Sequence, residues 1–238
     1  MQLVMRYIGF LGLVILFVSS SQAGEIVDWK DLVERDGIYY QKIDETLFTG
    51  QVDGARERGH IREGKKDGLW VSYWNNGELR GQGSYKGGKK EGPWISYQSN
   101  GEMWKKGSYS AGERDGSWVI YQSKGEVWKK GDYSDGAEEG LWVVYHDNGQ
   151  LWMQGDYKKG KAEGVWVFHH SNGQLWKEGA YQNAEEEGPW LVYHENGQLW
   201  MRGSYKNGHL DGPVEVYDKA GRANEQATGF YEGGRKTH

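Results

Sequence analysis

The 238-residue chain carries 38 glycines, 13 tryptophans and 16 tyrosines, but only 3 prolines and no cysteine, and its net charge is −5. The lack of cysteine excludes disulfides, zinc–thiolate sites, thiol nucleophiles and lipid attachment at such a residue, and the evenly mixed acidic balance argues against nucleic acid and anionic lipid heads, which attract basic clusters. Hydrophobic content is 37%, below the ~45–50% of ordinary compact domains, so aromatic rings must supply much of the burial.

Residues 1–23 differ in kind from the rest. Arg6 precedes the almost wholly apolar run Ile8 to Val18, and Ser19-Ser20-Ser21-Gln22-Ala23 ends in small residues. This pattern predicts a signal peptide cleaved after Ala23, and hence a periplasmic or secreted protein. The apolar run is shorter than the ~20 residues of a membrane span. Removing it leaves 28 basic and 34 acidic residues, a net charge of −6. Residues 24–36 then form a lead-in, and 37–67 an irregular opening with hairpin signals at Gly37 to Tyr40 and Phe48-Thr49-Gly50.

From residue 68 to 211 a 24-residue unit repeats six times without insertion. Gly68, Gly92, Gly116, Gly140, Gly164 and Gly188 mark its phase. Two residues later come Trp70, Trp94, Trp118, Trp142, Trp166 and Trp190, followed by Tyr73 and its equivalents. Turn signals of the Asn76-Gly77 type come next, then an apolar residue such as Leu79 and, from the second unit on, Trp104, Trp128, Trp152, Trp176 and Trp200. Gly83, Gly107, Gly131, Gly155, Gly179 and Gly203, each two residues before a tyrosine, close the units. In the closing repeat and tail, 212–238, Val214 takes the tryptophan position, and Gly229 and Tyr231 fall two residues late. Such altered ends suit an array whose terminal units have no neighbour to cover them.

Asn-Gly between β-branched and aromatic runs is a hairpin signal, and the polar glycine-marked stretches between units read as reversals. The expected fold is all-β: a single-layer, elongated antiparallel meander of tandem hairpins, ~70–80 Å long at two strand spacings per hairpin. A two-residue Asn-Gly turn would set Trp74 opposite Leu79, Tyr73 opposite position 80 and Trp70 opposite Gly83. One face would then carry Trp70, Leu79, Gly83 and Tyr85, and the other Val71, Tyr73 and the position of Trp104. Trp118 would lie on Gly131. A one-residue bulge would exchange the second-strand assignments.

The string G-x-W-x-x-Y-x-x-N-G-Q-L-W-x-x-G-x-Y, clearest at Asp147-Asn148-Gly149-Gln150-Leu151-Trp152, resembles the MORN repeat variant of bacterial YwqK-type antitoxin-like proteins, over roughly Gly37 to Gly234. The resemblance implies a long twisted antiparallel sheet and a protein-interaction role, with neutralisation of a cognate toxin as its antitoxin form.

Trp104, Trp128, Trp152, Trp176 and Trp200 are the candidate binding platform, since they adjoin the turns and have pairs such as Lys105-Lys106 beside them; the six tryptophans of the Trp70 series and the glycines of the Gly83 series are read as structural. His146, His170 and His194 fall in a row about 9–10 Å apart, too far for one metal, and are expected to be solvated. The same holds for Glu138-Glu139 and Glu185-Glu186-Glu187, which lack calcium-loop spacing. No nucleophile elbow, phosphate loop, zinc-protease or dinucleotide signature is present. The expected function is an exported, cofactor-free, non-catalytic scaffold for a protein partner, with a glycan or cell-envelope binding module as the alternative.

Overall fold

The computed structural model describes residues 25–237; the expected signal segment lies outside the described residues. Strands come in chain order as β1 (Ile26–Val27), β2 (Leu32–Arg35), β3 (Ile38–Gln41), β4 (Gly50–Asp53), β5 (Glu57–Arg62), β6 (Lys65–Tyr73), β7 (Leu79–Lys86), β8 (Lys89–Tyr97), β9 (Met103–Ser110), β10 (Glu113–Tyr121), β11 (Val127–Ser134), β12 (Ala137–Tyr145), β13 (Leu151–Lys158), β14 (Lys161–His169), β15 (Leu175–Gln182), β16 (Glu185–Tyr193), β17 (Leu199–Lys206), β18 (His209–Leu210), β19 (Gly212–Val216), β20 (Gly229–Glu232) and β21 (Arg235–Lys236). From β4 to β17 each strand pairs antiparallel with the next, and the sheet does not close into a barrel. Its side chains alternate between two faces, so Trp94 and Ser96 share one while Ile95 and Tyr97 share the other. The all-β meander is therefore the observed fold.

The ends are capped differently. At the start β2 and β3 form a hairpin, and β1 pairs parallel with β4. Phe48, Val52 and Ile61, all fully buried, pack with Leu32 and Trp70 under Trp29 and Tyr39. At the far end Val214 pairs with Gly229 and Gly212 with Tyr231. The late-falling Gly229 and Tyr231 thus occupy the places that Gly83 and Tyr85 hold opposite Trp70 and Gly68.

The two reversals differ from expectation in which one is tight. β7 and β8 pair as far as Lys86 and Lys89, leaving a two-residue turn in which Gly87 and Gly88 both take positive φ, 57° and 85°. This is the hairpin geometry whose twist matches the strands, and Asp135-Gly136 and Lys159-Gly160 repeat it. At the other end the Trp74 amide donates to the Glu78 carbonyl (2.8 Å) and the Gly77 amide to the Trp74 carbonyl (2.9 Å). That closes a three-residue loop, Asn75-Asn76-Gly77, in which only Gly77 takes positive φ. The Asn76 Oδ1 accepts from the Glu78 amide (3.1 Å), which holds the asparagine in an Asx turn.

This loop shifts the register by one. Tyr73 faces Leu79 and Ser72 faces Gly81, so Arg80 is the extra residue of a bulge. In the later repeats the same place belongs to Trp104, Trp128, Trp152, Trp176 and Trp200. The expected face assignments are corrected accordingly: Leu79 pairs with Tyr73, and the Trp104 series joins the face of Trp70. Trp70 does face Gly83.

Candidate binding face

The tryptophans of the regular series and the closing tyrosines form one continuous line on this face. Trp70, Tyr85, Trp94, Tyr109, Trp118, Tyr133 and Trp142 meet edge to face at centroid separations of 6.0, 5.2, 6.0, 5.2, 6.1 and 5.1 Å. The line continues through Tyr157, Trp166, Tyr181 and Trp190 to Tyr205. This is the favoured geometry for ring quadrupoles, contributing ~0.5–1.5 kcal/mol per pair beyond area burial. Trp118 and Trp190 are only 2% and 1% exposed, so this ladder is the core of the single layer.

Each indole rests on a glycine, but on that of the preceding strand and not of the following one. Trp94 covers Gly83, Trp118 covers Gly107, Trp142 covers Gly131, Trp166 covers Gly155 and Trp190 covers Gly179, while Gly203 lies beneath Val214. Trp118 therefore does not lie on Gly131, although the two are paired across the hairpin. The ring leans toward the preceding strand because a second bulge opens there and its indole N–H reaches a backbone carbonyl. Trp118 donates to Ser108 (3.0 Å) and Trp142 to Asp132 (3.1 Å).

The candidate platform runs beside the ladder, along the looped edge of the same face. Trp104, Trp128 and Trp200 are 45%, 40% and 45% exposed, while Trp152 and Trp176 are half-buried. Lys105 Nζ stands 4.1 Å above the Trp104 ring and Lys129 Nζ 5.4 Å above Trp128. Lys106 points to the opposite face, over Tyr121. His146, His170 and His194 lean on Trp152, Trp176 and Trp200, each at 5.9 Å between centroids.

Those histidines are not merely solvated. Each Nε2 lies 2.9–3.0 Å from a backbone carbonyl of the next repeat (His169, Tyr193 and Tyr217), so it carries the proton and donates. Asn148 Nδ2 makes the parallel bond to Ser171 (2.6 Å) and Asn172 to Glu195 (2.8 Å). The acidic turns also do structural work at the other edge. The Glu139 carboxylate accepts from the Lys159 amide (2.8 Å) and Glu187 from the Asn207 amide (3.0 Å). Both edges of the array are thus clipped repeat to repeat.

A charge pattern across the ladder face escapes single-repeat reading. The residue four before each regular tryptophan shares this face with the residue nine before itself. Glu57 and Lys66 form an ion pair (2.9 Å), as do Lys177 and Glu186 (3.3 Å). Lys129 and Glu138 line one small cleft with Trp142, and Met153 with Ala162 and Met201 with Leu210 are apolar. The first and second units differ: Gly81 stands with Lys90, and Lys105 with Arg114. Here Ser72, Gly81 and Ser96 are small, and an open cleft of about 340 Å³ exposes Tyr85, Trp94 and Trp104 beside Lys90, Lys105 and Arg80, with Glu57 its one carboxylate. Burial, followed by the charges of Arg114 and Lys90, holds the Lys105 ammonium below its ordinary pKa. Comparison of equivalent positions between repeats is the signal that finds this site.

The sequence pattern of the MORN repeat variant matches residues 66–86, 90–111, 138–159, 162–183 and 186–207. The stretch between the second and third matches folds as the same hairpin, with Lys124 (φ 78°) at the place of the loop asparagine. Among curated proteins, none matches the chain.

Proposed function

We propose, for a chain that belongs to the MORN repeat variant family, an exported, non-catalytic scaffold whose ladder face binds a protein partner. The observation that carries this reading is the half-open row Trp104, Trp128, Trp152, Trp176 and Trp200. In the neighbouring ladder Trp70, Trp118, Trp142, Trp166 and Trp190 are exposed by 3% or less, whereas three of these five indoles keep 40% or more of their surface in solvent. Large exposed rings beside cations are the composition of an interface core and its polar surround. An antitoxin or immunity role is the special case in which the partner is toxic. Export rests on the Arg6-to-Ala23 pattern, and absence of catalysis on the lack of any signature constellation.

The test is a crosslinking pull-down with the C-terminally tagged full-length chain, alongside the Trp104→Ala/Trp200→Ala variant. One protein recovered in near-equal amount, and lost in the variant, establishes the scaffold and its working face. N-terminal sequencing of the recovered chain should begin at Gly24; an intact Met1 refutes export by a cleaved signal. The repeated indoles, two strands or about 9–10 Å apart, also suit stacking on sugar rings. Co-sedimentation of the wild type, but not the variant, with purified peptidoglycan would favour that second reading.

A further inference from the structure

We propose that the first and second units form a carboxylate-binding site, in which Lys90, Lys105 and Arg114 receive an acidic extended segment of the protein partner. This rests on the protein-binding reading above and names the chemistry the partner must present.

The argument starts from the pairing of positions nine apart on the ladder face. Just before the first unit (Glu57, Lys66) and in the third and fifth units the two residues are oppositely charged, and in the fourth and sixth they are apolar. Each arrangement is self-sufficient: a cation lying over the rings finds an acid, or no charge is placed there. Only Lys90, whose partner position is Gly81, and the pair Lys105–Arg114 have a cation with no acid at the partner position; the Glu57 carboxylate that lines the same cleft is held by Lys66 (2.9 Å). Among the described residues none of the three makes an ion pair, although this chain is acidic overall. Lys90 Nζ lies 4.5 Å from the Trp94 ring centre and Arg114 lies 4.9 Å from that of Trp118, so the rings hold them in place while their outer sides stay free. Three like charges gathered without an ion-pair partner of their own oppose folding, and an anion from outside relieves that repulsion.

The layout favours a chain over a single ion. Lys90, Lys105 and Arg114 sit on β8, β9 and β10, consecutive strands about 4.8 Å apart. Carboxylates spaced along an extended segment suit cations set on three successive strands. The cleft beside Trp94 and Trp104 gives the apolar parts of that segment a surface. Arg114 contributes a planar fork suited to a carboxylate, steadied by the Tyr133 hydroxyl at 2.8 Å.

The decisive variant is Lys105→Glu, which re-creates beside Arg114 the acid–base pair that Glu57 and Lys66 make just before the first unit. The probe is a synthetic peptide of alternating glutamate and serine, titrated at low ionic strength, where surface charge is least screened, with its glutamine counterpart as reference. Wild type should bind the glutamate peptide and not the glutamine one. Lys105→Glu should weaken binding at least tenfold while its melting temperature stays level or rises; Lys90→Ala should weaken binding by a smaller factor. Equal binding by wild type and Lys105→Glu overturns the proposal. So does binding of inorganic phosphate with the affinity of the peptide, or capture by phosphatidylserine vesicles with no binding of the peptide. Should the pull-down partner persist undiminished on Lys105→Glu, the scaffold reading stands and this site falls.

Discussion

The indole of Trp142 lies on the bare backbone of Gly131, so close that a Cβ added to the glycine would stand 2.3 Å from the ring. Trp142 is 3% exposed and its N–H is fixed on the Asp132 carbonyl, so the ring has nowhere to retreat. Gly131→Val should therefore cost about 2–3 kcal/mol by overpacking. Lys130→Val, whose side chain points to the opposite face over Tyr145, should change stability by no more than about 0.5–1 kcal/mol. Urea unfolding of the two variants measures the difference; equal midpoints would remove the glycine seat from the account of stability.

The two tryptophan series should separate in the same experiment. Trp118→Ala removes a ring that is 2% exposed and flanked by Tyr109 and Tyr133, a loss of about 3–5 kcal/mol. Trp104→Ala, at 45% exposure, should cost about 1 kcal/mol, in keeping with a ring whose burial is incomplete. A Trp104 variant as unstable as the Trp118 one would make the platform part of the core.

The asparagine of the loop makes two bonds that can be taken apart. In Asn172 the Oδ1 accepts from the Gln174 amide (3.0 Å) and the Nδ2 donates to the Glu195 carbonyl of the next repeat (2.8 Å). Asn172→Asp keeps the first and loses the second; Asn172→Ala loses both. Each step should lower stability by about 0.5–1 kcal/mol, because both bonds are exposed to competing water. Hydrogen exchange at Gly173 and Gly197 should rise in both variants if the clip holds adjacent loops together.

Alkaline pH should weaken the fold through its buried tyrosines. Burial first, and then the charge of Glu186, push the Tyr181 phenol up to about 12 from an ordinary 10.0. The phenols of Tyr85, Tyr133, Tyr157 and Tyr205 are raised as well, chiefly by burial. A raised folded-state pKa stabilises fully below the unfolded value and ceases to do so as pH climbs through the folded one. Stability should be level up to about pH 9, then fall between pH 10.0 and about 12 for the Tyr181 contribution. Unfolding free energies across this range, with tyrosinate absorbance followed in parallel, provide the check; a fall already complete by pH 9 would point to another group.

The period, the hairpins and the buried tryptophan line were legible because each is written six times in register. The face of the Trp104 series was not. That depends on whether the loop closes over two residues or three, and both Asn76-Gly77 and Gly87-Gly88 present a glycine able to take positive φ. What separates them is how far the strands pair: to Lys86–Lys89 at one end, only to Tyr73–Leu79 at the other. The glycine beneath Trp118 was misplaced for a related reason. Gly107 and Gly131 flank it on both sides, and only the indole bond to Ser108 decides which one it covers. The histidine and glutamate clips reach 23 and 20 residues ahead, a relation invisible within one repeat.

From β4 to β17, strand pairing joins only segments adjacent in sequence, and the edge clips likewise span a single repeat. Excising any 24 residues in phase would therefore bring together two surfaces that already match, shortening the sheet by two strand widths and leaving both caps as they were. Length in this molecule is a dial that duplication or deletion of one unit can turn, independently of the chemistry displayed along it.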